Sequence, residues 1–143
     1  MITVAIAIAM ERNPGRAVIA ASTICSRPTV RTQSIEDNVT SPHATWLALE
    51  LALNRLDGRQ AVIITNNTIL LRPRPYIRGP WEHQYEAVAN ECLTRVQDTK
   101  SSIVQANTKD PRVKTPESDA VRWLSSEATT DLRRWLGGAE SWR

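Results

Sequence analysis

The spacing of apolar residues divides the chain into a strand-rich first part and a helix-rich second part. Residues 2–10, 16–25 and 29–35 are rich in β-branched and small apolar residues, or alternate them with polar ones, which predicts three β-strands. Asn13-Pro14-Gly15 lies between the first two segments, and Pro28 precedes the third. Such short connections favour an antiparallel arrangement of the three strands.

Beyond residue 40 the apolar period becomes that of a helix. Ser41-Pro42 is typical of a helix start, with Ser41 as the cap, and apolar residues then recur on more than one face as far as Leu56. This pattern predicts a largely buried helix. The short apolar run over 60–65 predicts a central parallel strand, and Asn66-Asn67 follows it as the cap of a short helix.

Two further helices and one strand complete the predicted fold. The helices extend from about Pro80 to Gln97 and from Pro116 to Leu136, where Gly137-Gly138 stops the second, and residues 102–106 form the strand between them. The order β-β-β-α-β-α-α-β-α predicts an α/β fold. We expect a five-stranded mixed sheet, with three antiparallel strands followed by parallel strands and with helices on both faces.

Length and composition indicate one domain over 1–143 with a frayed tail at 137–143. The chain has 143 residues, 41% of them hydrophobic and 23% charged, which excludes a disordered or fibrous protein. Cys25 and Cys92 are too few for a disulfide scaffold or a zinc cluster, so we interpret both as reduced and buried. The apolar first ten residues lack a positive leader and are too short to span a bilayer, so we expect an intracellular protein without a membrane partner.

The net charge of +3 is mild, but its distribution is uneven. Fifteen of the 18 basic residues are arginine, and residues 1–80 hold nine of these against five acids. A surface that binds a polyanion would therefore draw mainly on the first half of the chain. A genome rich in G and C would produce the same arginine bias.

A basic loop between the predicted helices has the composition of a binding segment. It combines three arginines with two aromatic residues, namely Arg72, Arg74, Tyr76, Arg78 and Trp81. Arginine suits phosphate contacts and aromatic rings stack on bases, so the loop fits a nucleic-acid interface. It fits equally a proline-stiffened surface loop whose aromatic residues pack on the domain, or a contact surface for a protein partner.

The order of elements resembles ribonuclease H type 1 from about Ile2 to Trp135. Asn13-Pro14-Gly15 is similar to the first hairpin turn of that family. The helix over 41–56, the strand over 60–65 and the short helix after it are similar to its central β-α-β crossover. Pro116-Glu117-Ser118-Asp119 is similar to its final motif. The resemblance lies in the order and the spacing of these parts.

The resemblance implies a degenerate catalytic site. Active members of the family hold two divalent metal ions with four carboxylates. The matching positions here are Ala7, Trp46, Asn66 and Asp119, of which Asp119 alone keeps a carboxylate. Glu50, one turn beyond Trp46, is interpreted as a solvent-facing helix acid. The resemblance therefore implies no metal, no other cofactor and no catalytic residue.

We therefore expect a catalytically inactive ribonuclease H-like domain that acts as a scaffold or assembly module, with a protein partner or a second copy of itself. The alternative is a module that binds RNA, DNA or RNA–DNA hybrid without cleaving it. An active metal-dependent ribonuclease H is a distant third. The acidic second half of the chain favours the scaffold, whereas the arginine-rich first half favours nucleic-acid binding.

Overall fold

A five-stranded mixed sheet forms the centre of the protein in a computed structural model, which describes residues 2–24, 30–71 and 83–140, with side chains as far as Leu136. The strands are β1 (Ile2–Met10), β2 (Gly15–Thr23), β3 (Arg31–Val39), β4 (Ala61–Thr65) and β5 (Ser102–Gln105). Their order across the sheet is β3-β2-β1-β4-β5. The first three strands are antiparallel, and β4 is parallel to both β1 and β5. The predicted fold class is confirmed.

Helices cover both faces of this sheet. They are α1 (Ser41–Leu56), a 3₁₀ helix over Thr68–Leu71, α2 (Glu86–Asp98) and α3 (Pro116–Glu140). α1 and α2 contribute to the hydrophobic core on one face, and α3 contributes to the core on the other. No helix of the described segments is both long and apolar enough to cross a membrane.

β1 supplies both hydrophobic cores because its side chains alternate between the two faces. Val4 and Ile6 lie in the core beneath α1, whereas Ala5, Ala7 and Ala9 lie in the core beneath α3. The α3 face of β1 is therefore lined with alanine. Small side chains there let the helix lie close to the strand.

The ends of α1 follow ordinary capping chemistry, with one change from the prediction. The cap is Thr40 rather than Ser41, because the Thr40 hydroxyl accepts a hydrogen bond from the His43 backbone N–H at 3.3 Å. Ser41 is the first helical residue. At the other end Asp57 adopts a left-handed conformation, with φ of 50°, and its N–H donates to the Leu53 carbonyl.

The ends of β3 and α3 lie beyond the predicted ones. β3 continues to Val39 and lies at the edge of the sheet, with side chains that are mostly exposed or half-buried. α2 begins at Glu86, after Tyr85 at its N-terminal boundary, and the predicted start near Pro80 lies outside the described residues. α3 continues through the two glycines to Glu140 and so includes the first four residues of the segment predicted to fray.

Cys92 lies in the core between α1 and α2, as predicted. Burial, and to a lesser degree the charge of Glu50, raises the pKa of its thiol to about 12. The thiol is therefore protonated at neutral pH and behaves as a small apolar group. Cys25 lies outside the described residues.

Candidate nucleic-acid interface

The sequence analysis places a degenerate site at the corner of the sheet where the parallel strands β1 and β4 run toward their carboxyl ends. β1 and β4 pair in parallel through Ala5 and Ile64, and two steps further in the same register bring Ala7 level with Asn66. Ala7 is 4% exposed and belongs to the core beneath α3. Its methyl group provides packing but no polar atom, so β1 contributes no ligand to this corner.

Trp46 lies on the opposite face of the sheet from Ala7. The indole is completely buried in the core beneath α1, and its Nε1 has no hydrogen-bond partner among the described residues. Trp46 therefore fills apolar space and offers nothing to a ligand. Ala7 and Trp46 belong to different cores, so the structure does not combine these two positions in one polar site.

Two asparagines after β4 form hydrogen bonds to the segment after β5 and to α1. The Asn66 side-chain amide donates to the Thr108 hydroxyl at 3.2 Å, in the loop after β5. The Asn67 amide donates to the buried Thr45 hydroxyl at 3.0 Å, in the first turns of α1. Asn67 also accepts from the Ile69 N–H at 3.1 Å, so it caps the 3₁₀ helix as predicted.

Asp119, the one carboxylate retained at the predicted positions, is exposed and paired with a cation. Its Oδ1 lies 3.4 Å from Nη1 of Arg122, and 60% of its side chain is exposed. Asp119 lines a shallow opening together with Thr23, Arg31 and Trp123. No hydrogen bond links it to Asn66, so among the described residues these two predicted positions remain separate.

Arg122 is the α3 side chain that reaches toward the corner, and the sequence analysis missed it. Its guanidinium donates to the backbone carbonyls of Asp110 at 2.7 Å, Val113 at 2.5 Å and Thr108 at 3.4 Å. These three acceptors lie in the loop that joins β5 to α3. Arg122 therefore fixes this loop by its planar set of donors. The available signal was its position three residues after Asp119 on the same helix face.

The loop fixed by Arg122, residues 107–115, has further internal support. The Asn107 side-chain oxygen accepts from the N–H groups of Lys109 and Asp110, at 3.1 and 3.2 Å. Arg112 donates through Nε and Nη2 to the two carboxylate oxygens of Asp110, each at 3.1 Å. These hydrogen bonds lower the pKa of Asp110. The backbone that carries the basic side chains of the loop is therefore ordered by local hydrogen bonds.

A capping box ties the end of this loop to α3. The Thr115 hydroxyl accepts from the Ser118 N–H, and the Ser118 hydroxyl accepts from the Thr115 N–H, each at 3.1 Å. Ser118 is completely buried. The start of α3 is thereby fixed relative to the loop that Arg122 holds.

A small cavity of about 200 Å³ lies between the residues that follow β4 and β5. Its walls consist of amides, hydroxyls, one methyl and one ammonium group, namely Asn66, Asn67, Thr68, Gln105, Ala106, Asn107, Thr108 and Lys109. No carboxylate lines it among the described residues. Its side chains provide many N–H and O–H donors and a positive charge, which suit an anion better than a cation.

Glu50 lies on the surface between α1 and α2. Burial raises the pKa of its carboxyl, the nearby Glu91 raises it further, and Arg95 lowers it. Glu50 is half-buried rather than fully solvent-facing as expected. Its charged neighbours lie on α2 and β3, so it is part of a different surface from the Asn66 corner.

The arginines of the first half do not share one face where the structure describes them. Arg16 stacks over the Trp135 ring at 5.1 Å, and Arg31 pairs with two acids of α3. Arg55 and Arg59 lie at the carboxyl end of α1, on the other face of the sheet. The basic loop with Arg72, Arg74, Tyr76, Arg78 and Trp81 lies outside the described residues, so its role stays a prediction.

Solved structures with a similar arrangement of elements include ribonucleases H. No protein-family model and no curated protein sequence matches the chain. RNase H1 from the halophilic archaeon Halobacterium salinarum NRC-1 superimposes with a TM-score of 0.63 at 18% identity, covering 91% of this chain and 98% of that one. The chain has the ribonuclease H fold.

Two more ribonuclease H structures support the same conclusion. LC11-RNase H1, in complex with an RNA/DNA hybrid, superimposes with a TM-score of 0.65 at 14% identity, covering 92% of this chain and 99% of that one. The N-terminal RNase H domain of a Mycobacterium tuberculosis protein gives 0.59 at 14% identity, covering 95% and 99%. At these identities the likeness establishes the ribonuclease H fold and leaves the activity to be argued from the residues.

The side chains of Ala7, Asn66 and Asp119 do not fit a pair of divalent metal ions. Hard cations require several oxygen ligands with concentrated negative charge. Ala7 provides none, Asn66 provides one neutral oxygen, and the charge of Asp119 is offset by Arg122. Within residues 2–24, 30–71 and 83–140 no cluster of three or more His, Cys, Asp or Glu could hold a metal.

Proposed function

We propose that this ribonuclease H-like domain binds nucleic acid without cleaving it, at the corner formed by the ends of β4 and β5 and the loop over 107–115. One observation carries the proposal. The cavity at this corner is lined by amide, hydroxyl and ammonium groups and, among the described residues, by no carboxylate. Phosphate oxygens are hydrogen-bond acceptors, so donors of this kind suit a nucleic-acid backbone.

The loop over 107–115, next to the cavity, carries a net positive charge, which is the sign that a nucleic-acid backbone requires. Lys109, Arg112 and Lys114 carry positive charge against the single carboxylate of Asp110. Lys109 and Lys114 form no ion pair with any described residue, so their charges are free to act on a polyanion. Arg122 holds the backbone beneath them, which lowers the entropy that the loop would lose on binding.

The absence of cleavage follows from the same chemistry. Two-metal hydrolysis needs cations to stabilise the attacking and leaving oxygens. Ala7 and Asn66 carry no negative charge and the carboxylate of Asp119 is paired with Arg122, so these residues do not attract such cations. The RNA/DNA hybrid bound by LC11-RNase H1 supports nucleic acid as the ligand class for this fold.

Binding is tested with single-stranded, duplex and hybrid oligonucleotides at two salt concentrations. The double variant Lys109→Gln/Lys114→Gln removes two charges, and each lost phosphate contact flattens the slope of log K against log salt by roughly 0.7–0.9. Arg134→Gln is the matched control, because Arg134 is exposed near the far end of α3. An unchanged slope in the double variant, or no binding to any oligonucleotide at low salt, contradicts the proposed interface.

Cleavage is tested separately with RNA–DNA hybrid in the presence of Mg²⁺ or Mn²⁺. We expect the hybrid to remain intact. Metal-dependent cleavage that Asp119→Asn abolishes would contradict the proposal and would assign Asp119 a catalytic role.

A specific feature also supports the assembly function. β3 is an edge strand of nine residues, so one side of its backbone has no strand partner in the part of the chain that the structure describes, and Ile35 on it is 48% exposed. Another chain could add a strand there. Sedimentation velocity of the wild type and of Ile35→Lys tests this function: a complex that the lysine dissociates supports it, and a monomer at high concentration in both proteins argues against self-association.

A further inference from the structure

A second cavity lies at the end of the sheet away from the Asn66 corner. Its volume is about 340 Å³, and it opens between the carboxyl end of α1 and the amino end of β1. Val4, Ala21, Ala52 and Leu56 form much of its wall, and all four side chains belong to the core beneath α1. The cavity is therefore an apolar space that continues the hydrophobic core to the surface.

Two guanidinium groups are the charged groups that line this cavity in the described segments. They belong to Arg55 and Arg59, and among the described residues no acid lines the cavity with them. Both are exposed, so they lie at the mouth rather than in the interior. An apolar interior with positive charge at its mouth complements a molecule with an apolar chain and an anionic head.

Arg59 is held in position before any ligand binds. Its Nε donates to the Leu56 carbonyl at 2.8 Å and its Nη2 to the Arg55 carbonyl at 3.2 Å, which leaves Nη1 free. These bonds also satisfy carbonyl groups at the end of α1, where a cation is favoured. The Arg55 guanidinium forms no hydrogen bond or ion pair with another described residue, so it is available to an anion.

We propose that this cavity binds an aliphatic carboxylate, with the chain against Ala21, Ala52 and Leu56 and the carboxylate between Arg55 and Arg59. A volume of about 340 Å³ is near the lower limit of ligand cavities, which favours a short or medium chain. Guanidinium groups bind carboxylates through parallel hydrogen bonds. The site is independent of the proposed nucleic-acid interface, because it lies at the other end of α1.

Titration of ¹⁵N-labelled protein with octanoate, followed by NMR, tests the site directly. We expect saturable shifts in the amides of Ile2, Ala21 and Ala52. Affinity should increase from butyrate to hexanoate to octanoate, by at most roughly fourfold for each additional buried CH₂. The neutral 1-octanol and the cationic octyltrimethylammonium ion should bind at least tenfold more weakly than octanoate.

Arg55→Gln is the decisive variant, because Arg55 is exposed and its loss leaves the core intact. We expect its affinity for octanoate to fall by at least roughly tenfold, since a charge-assisted hydrogen bond is lost. Arg134→Gln, which changes an arginine outside the cavity, should bind as the wild type does. Val30→Glu places a negative charge at the 44% exposed rim residue and should also weaken binding.

Three outcomes would overturn the proposal. The first is octanol binding as tightly as octanoate, and the second is equal affinity in the wild type and Arg55→Gln. The third is a set of shifts that maps away from Ile2, Ala21 and Ala52. Loss of oligonucleotide binding in Lys109→Gln/Lys114→Gln would leave this proposal untouched, so the two sites can fail separately.

Discussion

Replacement of Trp46 by glutamate tests whether this position is part of the core or part of a polar site. In the structure the indole is completely buried beneath α1, close to Cys92, whose Sγ lies 3.8 Å from the Trp46 carbonyl. Glutamate is the residue type that the ribonuclease H resemblance implies there. If the corner could accept a metal ligand, Trp46→Glu would be tolerated, whereas a core position would reject it.

The expected loss of stability has two parts. Loss of a buried indole costs about 3–5 kcal/mol, as in other replacements of large core side chains. A carboxyl buried without a partner costs about 1.4 kcal/mol more for every unit by which its pKa is raised, at pH values where it would otherwise be ionised. In a protein of this size about 4 kcal/mol corresponds to a fall in Tm of roughly 10 °C.

Urea unfolding of the wild type, Trp46→Gln and Trp46→Glu at pH 5 and pH 7.5 separates the two parts. Glutamine has the shape of glutamate without its charge, so both variants share the loss of packing. A buried glutamate has a raised pKa in the folded state. The loss of unfolding free energy that its charge adds therefore grows as the pH rises, and it disappears when the pH falls to the pKa of the same carboxyl in the unfolded chain. The gap between the two variants should therefore widen at pH 7.5.

Two results would refute this reasoning. A Trp46→Glu protein with the Tm of the wild type would show that the position is exposed. Stabilisation of Trp46→Glu by Mg²⁺, without the same effect on Trp46→Gln, would show a cation site at the corner. Trp46→Phe is a useful control, because it removes the unpartnered indole N–H and keeps an aromatic ring.

Three further predictions concern other parts of the molecule. Arg122→Gln should destabilise the protein by about 2 kcal/mol and speed amide exchange in the loop over 107–115, because carbonyl groups lose a charged donor; unchanged exchange would contradict this role. Glu50→Gln should raise the free energy of unfolding at pH 7, because the folded state raises the pKa of Glu50, and the gain should vanish below about pH 4; no gain at pH 7 would contradict it. Replacement of Arg72, Arg74 and Arg78 by alanine should flatten the salt dependence of oligonucleotide binding by roughly two to three units; a scaffold that uses this loop for a protein would keep the slope and lose the protein complex.

The order of elements along the chain and the mixed sheet could be predicted, because local sequence patterns indicate them. β1 and α1 have the predicted bounds, Ile2–Met10 and Ser41–Leu56, since strand alternation and helix signals agree there. The end of α3 could not be predicted in this way. Glycine pairs usually stop helices, but Trp135 and Leu136 pack against the core beneath α3 up to the glycines, and the helix continues.

The candidate site was predicted less well, because pairing across the sheet and between loops is not a local property. The sequence motif drew attention to Asp119, whereas the hydrogen bonds of α3 toward the corner come from Arg122. Nothing in the local sequence shows that a guanidinium will find three carbonyls 9 to 14 residues earlier in the chain. The same holds for Asn67, whose partner Thr45 is 22 residues away.

The proposed function also accounts for a ribonuclease H fold that keeps a carboxylate at Asp119 but at none of the other three positions that the resemblance implies. Carboxylates grouped closely enough to hold two cations repel one another, and this repulsion does not arise between alanine at position 7 and asparagine at position 66 because neither side chain is charged. Once the cations are not needed, a guanidinium from α3 can supply positive charge to the same region and hydrogen-bond to carbonyl oxygens directly. Under the proposed function hydrolysis is lost while the corner stays attractive to phosphate, because a metal-bound site and an arginine-supported site would present charge of the same sign to the nucleic-acid backbone.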